Sequence, residues 1–327
     1  MKIKNCPSTS FGILSLSKDK LKISSGAGFT LLELLVVIAI IGVISNIAVA
    51  VVQNSREDAR IAGAKQFAQQ VHQSFGATED VRWTFENVSG NQVLDESGNN
   101  YHGTFYNNSG SGTSNPLVGS LDAINGNAIS LNGTYDRLAV QKSATEDKPF
   151  TISLWAKAED LSIANDQYIF NSLTNNFDGF NIILGNHSDC GVGKSIYFQL
   201  VRNPPAELAQ RACFGSADTK WHYLTATFEI NSPLAGQGTV TTYFDGKKIM
   251  NRTNPLDSSS NNGFNGRIVG YRLGAYGGET QSQQSGYFFK GKIDEFNFYY
   301  SALSQAEIEK LYAEGKEKLK LAGELTD

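Results

Sequence analysis

At 327 residues the chain is longer than a typical single domain, and 11% aromatic residues against 18% charged ones argue for a folded core over disorder. The formal net charge is −4 and there is no long basic run, which argues against nucleic acid as a partner. Residues 1–28 are polar and serine-rich and hold five lysines and one aspartate, so if they are removed the remainder carries −8. They read as a leader that stays on the cytoplasmic side of a membrane.

From Phe29 to Val52 the chain is predominantly apolar, and Glu33 is its only charged residue. A helix of that length rises about 36 Å, enough to cross a bilayer's hydrocarbon core. A carboxylate inside such a segment costs roughly 2.5–3.5 kcal/mol, so Glu33 needs a partner. Cutting after Gly28 frees an amino group on Phe29, and a neighbouring chain can bring that positive charge to Glu33. Two plainer readings stand beside this one. An ordinary membrane anchor leaves Glu33 unexplained. A secretory signal cut after Ala50 has an apolar region far longer than the usual 7–15 residues.

The run GFTLLELLVVIAIIGVI resembles the start of type IV pilins and of the pseudopilins of secretion systems, over about residues 26–75. The resemblance implies cleavage by a prepilin peptidase between Gly28 and Phe29, N-methylation of Phe29, and a role for Glu33 in aligning subunits. Many members carry proline where this chain has Ala50, a departure from the pattern that the helix break in those members is tied to. Beyond the apolar run, Ile61, Ala64, Ala68, Val71 and Phe75 recur at gaps of three and four. This predicts an amphipathic helix continuing to Gly76, its apolar face packed on the chain's own globular part or on neighbouring helices.

From about Val81 the pattern changes to short β-rich runs separated by Gly, Asn and Ser: VRWTF, NAISL, RLAV, FTISLWAKA, QYIFNSL, FNIILG, IYFQLV, WHYLTATFEI, TVTTYF, YRLGAY and KIDEFNFYY. Some eleven strands with turn signals between them predict a β sandwich or barrel. Asp245-Gly246 marks a tight hairpin. Cys6 falls in the leader, which leaves Cys190 and Cys213 as an expected disulfide on the oxidising side, worth on the order of 3 kcal/mol. His187 is expected to be a loop histidine. A last helix should start at a capping box of Ser304 and Glu307, stapled by Leu303 and Ile308, and end at Gly315.

Several of these runs, in order, resemble the laminin-G-like jelly rolls of the concanavalin A-like lectin and glucanase superfamily, over roughly residues 81–315. They are WTFEN with VLDESGNNYHGT, NGNAISLNG, FTISLWAKA, WHYLTATFE, YFDGKKI and the closing GKIDEFNFYYSALSQAEIEKLYAEG. By that resemblance Glu86, Gly126 and Asp294 are the positions of a structural calcium ion. Independently, a regular strand puts Asp294 on one face with Phe296 and Phe298, where a carboxylate must be metal-bound or satisfied by amides or an arginine. DESGNN at 95–100 lacks the glycine and glutamate spacing of an EF-hand, so Asp95 is expected to cap a turn. Trp83, Trp155 and Trp221 are expected in the core, and Tyr271, Tyr276 and Tyr287 are expected at the surface.

Catalysis is not expected. The paired same-face carboxylates of a retaining glycosidase are missing from the strand pattern, and adjacent Asp294 and Glu295 point to opposite faces. No Gly-x-Ser-x-Gly elbow occurs.

The expected architecture is therefore mainly β. A leader (1–28) precedes a long pilin-type helix (29–76), an antiparallel jelly-roll sandwich with a short C-terminal helix (80–315) and a charged tail (316–327). The expected role is a filament subunit, held in the cytoplasmic membrane as a precursor and then displayed outside the cell. Its partners would be other pilin subunits, the peptidase, the membrane, and a glycan or surface protein. A pseudopilin of a secretion system, or a membrane-tethered glycoside hydrolase, are the alternatives.

Overall fold

The computed structural model describes residues 30–42, 78–106, 118–119, 122–124, 126–142, 148–172, 179–202, 208–232, 237–254, 270–276 and 287–321. The chain divides into two compact units, Met1–Ala62 and Gly63–Asp327. The described part of the first is a helix, α1 (31–42), whose large apolar side chains from Leu31 to Ile41 remain 46–84% exposed. Among the described residues no helix is long and apolar enough to cross a membrane. The helix expected through Ile61 and Phe75 to Gly76 lies outside the described residues.

The second unit holds the strands β1 (Glu79–Trp83), β2 (Val88–Ser89), β3 (Gln92–Val93), β4 (Gly103–Tyr106), β5 (Val118–Gly119) and β6 (Ala128–Asn132). There follow β7 (Arg137–Gln141), β8 (Phe150–Ala158), β9 (Gln167–Asn171), β10 (Gly179–Asn186), β11 (Lys194–Arg202) and β12 (Leu208–Ser216). The chain goes on through β13 (Trp221–Ser232), β14 (Gln237–Phe244), β15 (Lys247–Asn254), β16 (Gly270–Leu273) and β17 (Lys290–Tyr299), and ends in a helix, α2 (Gln305–Leu321). Every one of the eleven runs expected to be strand lies on one. β12 went unseen because its polar and small residues, LAQRACFGS, hide the inward pair Ala212 and Phe214.

Among the described residues these strands pair antiparallel with one another. One sheet runs β15-β14-β13-β8-β17-β6-β5 and the other β12-β11-β10-β9-β16-β7-β4-β3-β2. β1 joins the first sheet beside β17, so one flank of β17 is shared: residues 290–293 pair with β6 and residues 296–299 pair with β1. The core between the sheets is aromatic. Phe150 stacks on Phe180, Phe228 and Phe298 at centroid distances of 4.4, 5.3 and 5.5 Å. Trp83, Trp155 and Trp221 are buried as expected.

Asp245 and Gly246 both have positive φ, 50° and 74°, and join β14 to β15 as a two-residue hairpin turn. These signs define a type I′ turn, whose twist suits the flanking strands.

A second apolar cluster, including Ile124, Trp155, Tyr223, Tyr299, Ile308 and Leu311, seats α2. The predicted cap is present. Ser304 N–H donates to Glu307 Oε2 at 2.7 Å and Glu307 N–H to Ser304 Oγ at 3.4 Å, while Leu303 and Ile308 are buried together. Gly315 does not end the helix. α2 continues to Leu321, buries Leu319, and so takes in the first half of the expected charged tail. Gly315 is there for close approach: a Cβ would lie 2.5 Å from Trp155 Nε1. The indole therefore keeps a residue that otherwise weakens a helix interior by about 1 kcal/mol.

Candidate assembly segment and cation-binding loop

Gly28 and Phe29 lie outside the described residues; Glu33 is described. Its carboxylate Oε2 accepts from Thr30 N–H and from Thr30 Oγ1–H, both at 2.9 Å, and Glu33 N–H donates to Thr30 Oγ1 at 3.3 Å. This is a capping box at the start of α1, with the signal T-x-x-E plain in the sequence but submerged in an apolar run. Within one chain Glu33 therefore has a local partner before any neighbour arrives.

The three residues implicated in cation binding come together around one loop. Glu86 follows β1, and its Oε1 accepts from Asn127 N–H at 2.7 Å. Gly126 has φ 63°, and a Cβ there would collide with the Glu86 carboxylate. Asp294 is wholly buried; its Oδ2 accepts from Ile124 N–H at 2.8 Å and its Oδ1 from Glu295 N–H at 2.7 Å. Two backbone amides thus serve this carboxylate. Its setting differs from the expected one. Glu295 adopts φ 49° and breaks the pairing of β17 with β8 between Asp294 and Asn297. That bulge shifts the alternation. Ile293, Phe296 and Phe298 enter the main core, whereas Asp294 pairs with Trp155 of the second cluster.

Burial raises the pKa of Glu86; the Asn127 N–H opposes this, and the charges of Glu295 and Glu96 add to the rise. Lys318 on α2 is spoken for by Glu295 and Glu314, at 3.0 and 3.2 Å. Among the described residues Glu86 makes no ion pair, and no group of three or more His, Cys, Asp or Glu side chains converges as a metal cluster. What the loop offers is two carboxylates and the backbone oxygen of Gly126, hard oxygen donors of the kind calcium takes. The glycine keeps space for them that a side chain would fill.

Other expected residues find structural places. Asp95 closes a turn: its Oδ1 accepts from Arg82 N–H and Ser97 N–H, and its Oδ2 from Tyr101 N–H, all at 3.0 Å. Cys190 and Cys213 form a disulfide. His187 caps the short 3-10 turn Ser188–Cys190, its Nδ1 accepting from Asp189 N–H at 3.3 Å. Tyr271 is not at the surface but 1% exposed, donating to Asp80. Tyr276 and Tyr287 are half-buried and pack against Tyr168 at 4.7 and 6.0 Å.

Two polar arrangements escaped sequence analysis because no motif marks them and only the paired strands and their turns bring the members together. Arg272, Asn171, Asn181 and Gln199 stand in register on four neighbouring strands and pass hydrogen bonds along the row at 3.3, 2.8 and 3.3 Å. His222 sits between Asp245 and Asp218, its ring nitrogens 2.9 Å from each carboxylate. Burial opposes its protonation, but the bonds and charge of Asp245 and then Asp218 outweigh this and raise its pKa above 6.5. A raised folded-state pKa adds stability below the ordinary histidine range, and the gain is lost as pH climbs through the folded value. The melting-temperature difference between wild type and His222→Gln should therefore be largest near about pH 5.5 and shrink towards about pH 8.5. A difference that is flat with pH would remove the charge from this account.

Comparison with known proteins places both parts of the chain. The model for a prokaryotic N-terminal methylation motif matches residues 24–45, and the model for the concanavalin A-like lectin/glucanases superfamily matches residues 132–309. No curated protein matches. Among solved structures, the binding domain of botulinum neurotoxin DC in complex with rat synaptotagmin II has TM-score 0.51 at 16% identity, covering 74% of this chain and 52% of that one. A structure of botulinum neurotoxin type C, whose cell entry is dependent upon interaction with two ganglioside molecules, has TM-score 0.50 at 16% identity and covers 74% and 52%. The chain spans about half the length of these neighbours, and the likeness is one of fold. The chain therefore joins a pilin-type N-terminal motif to a lectin-like jelly roll, and it belongs to the concanavalin A-like lectin/glucanase superfamily.

Proposed function

We propose that this chain is a type IV pilin-like subunit that carries a lectin-like sandwich on a surface filament and binds a glycan or surface protein without chemical turnover. The observation that supports it is the fusion itself: a methylation motif with Glu33 at its fifth mature position, on the same chain as a binding-type fold. In this reading the precursor sits in the cytoplasmic membrane, the peptidase cuts after Gly28, and Phe29 is methylated. The apolar helix then packs against its copies. The bulk of the sandwich favours a minor or tip position over the most abundant subunit. Mass spectrometry of the amino terminus tests the first step: the mature protein should begin at N-methylated Phe29, and a start at Met1 or Val51 would end the filament reading. A glycan array that includes gangliosides tests the ligand class.

The same proposal includes a calcium ion at the Glu86–Gly126–Asp294 loop. Calcium would add positive charge beside Glu86, whose nearest cationic influence, Lys318, is paired with Glu295 and Glu314. Glu86 and Asp294 would hold it by carboxylate oxygens and Gly126 by its carbonyl. Saturating calcium at about 100 times the dissociation constant should stabilise the fold by about 2.7 kcal/mol. Melting curves in calcium and in EGTA should separate accordingly, and Glu86→Gln should bring them together. Curves that coincide in the wild type would dismiss the ion.

A further inference from the structure

Asp80 in β1 and Lys142 immediately after β7 come from different sheets, yet their side chains meet in the interior, 9% and 1% exposed. Asp80 Oδ2 accepts from Lys142 Nζ and from the Tyr271 hydroxyl. Lys142 Nζ also donates to the Tyr300 hydroxyl at 2.7 Å. The rings of Tyr101, Tyr300 and Tyr271 close around the nitrogen with centroids 4.7, 4.8 and 5.4 Å away. A primary amine and a carboxyl group are thus held in contact inside an aromatic box, remote in sequence and apart from the cation-binding loop.

Such a pair is costly as ions. Desolvating two charges offsets much or all of their attraction, and joining them as a neutral amide removes both charges at once. Fixing the two groups against each other also replaces a bimolecular encounter, with effective molarities of about 10⁵–10⁸ M for well-oriented intramolecular reactions. We propose that Lys142 and Asp80 condense spontaneously after folding into an intramolecular isopeptide bond.

The step balances within the pair. Lys142 passes a proton to the Asp80 carboxylate, and the freed amine attacks the carboxyl carbon Cγ. The N–C bond forms, the Cγ–Oδ1 bond breaks, and the two surplus amine protons leave on Oδ1 as water. Oδ2 remains as the amide oxygen. Tyr271 donates a hydrogen bond to it while it carries negative charge; burial and the charge of Asp80 keep that phenol protonated by raising its pKa well above the usual range. Tyr300 holds the nitrogen in place. No oxidant or cofactor enters. The bond ties the two sheets together at β1, the first strand a pull along the chain from residue 77 would reach. Besides it, β1 is held by its short ladder to β17 and by hydrogen bonds with the turn at residues 95–101.

Intact-mass measurement of the full-length chain, purified in detergent with its disulfide reduced, tests this directly. After allowance for amino-terminal processing, the mass should fall short of the sequence by one water molecule. Lys142→Arg and Asp80→Ala should show no such loss, and Asp80→Asn should lose ammonia in place of water. Protease digestion should yield a branched peptide that contains both Asp80 and Lys142. A wild-type chain of full sequence mass overturns the proposal, as does a water loss that fragmentation traces to the Asp245-Gly246 turn.

Discussion

Phe150→Ala is expected to destabilise the sandwich by about 3–5 kcal/mol, a large share of the 5–15 kcal/mol that holds a typical domain together. Phe150 is 1% exposed and lies at the junction of three stacked rings drawn from both sheets. Truncation removes the transfer energy of the ring and leaves a cavity that β8, flanked by β13 and β17, has little freedom to fill. Urea titration of the two proteins measures the difference. Val192→Ala, at a fully exposed side chain, serves as the control and should stay within about 0.5 kcal/mol. A Phe150→Ala loss as small as that control would mean the rings are not the core described here.

Glu33→Gln is expected to leave cleavage at Gly28 intact and to cut filament yield tenfold or more. The choice of glutamine matters because Glu33 does two things. It closes a capping box with Thr30, and glutamine can occupy that place in the motif. It also carries the charge proposed to meet a neighbour's new amino terminus, which glutamine lacks. Roughly 1.4 kcal/mol lost per subunit contact is already a factor of ten in each equilibrium constant. Sheared-filament yield and the amount of processed subunit in membranes, measured together, separate assembly from processing. Wild-type filament yield from Glu33→Gln would show that the cap alone explains the residue.

The strands announced themselves in the sequence because a half-buried sheet imposes alternation, and FTISLWAKA or WHYLTATFEI keeps to that rhythm. Alternation also misled. It put Asp294 beside Phe296 and Phe298, because nothing local to KIDEF marks a bulge where a non-glycine residue, Glu295, takes positive φ. Gly315 likewise reads as a helix end, the commonest use of glycine there, when an indole from β8 is what demands it. Glu86, Gly126 and Asp294 are named together by family resemblance alone, with no local pattern that links them. The Asp80–Lys142 contact and the row from Arg272 to Gln199 were not legible, since each depends on residues that only the completed sheets bring together.

The order of strands also governs how the molecule comes into being. β17 is the last strand made, yet it lies inside its sheet between β8 and the pair β6 and β1. Folding therefore waits for almost the entire polypeptide, and closing contacts so distant along the chain is slow, on the scale of milliseconds to seconds for all-β folds. A chain threaded through a membrane pore would emerge with its aromatic interior unclosed until its far end arrived, so its apolar strands would stay open to wrong contacts for the whole of that passage.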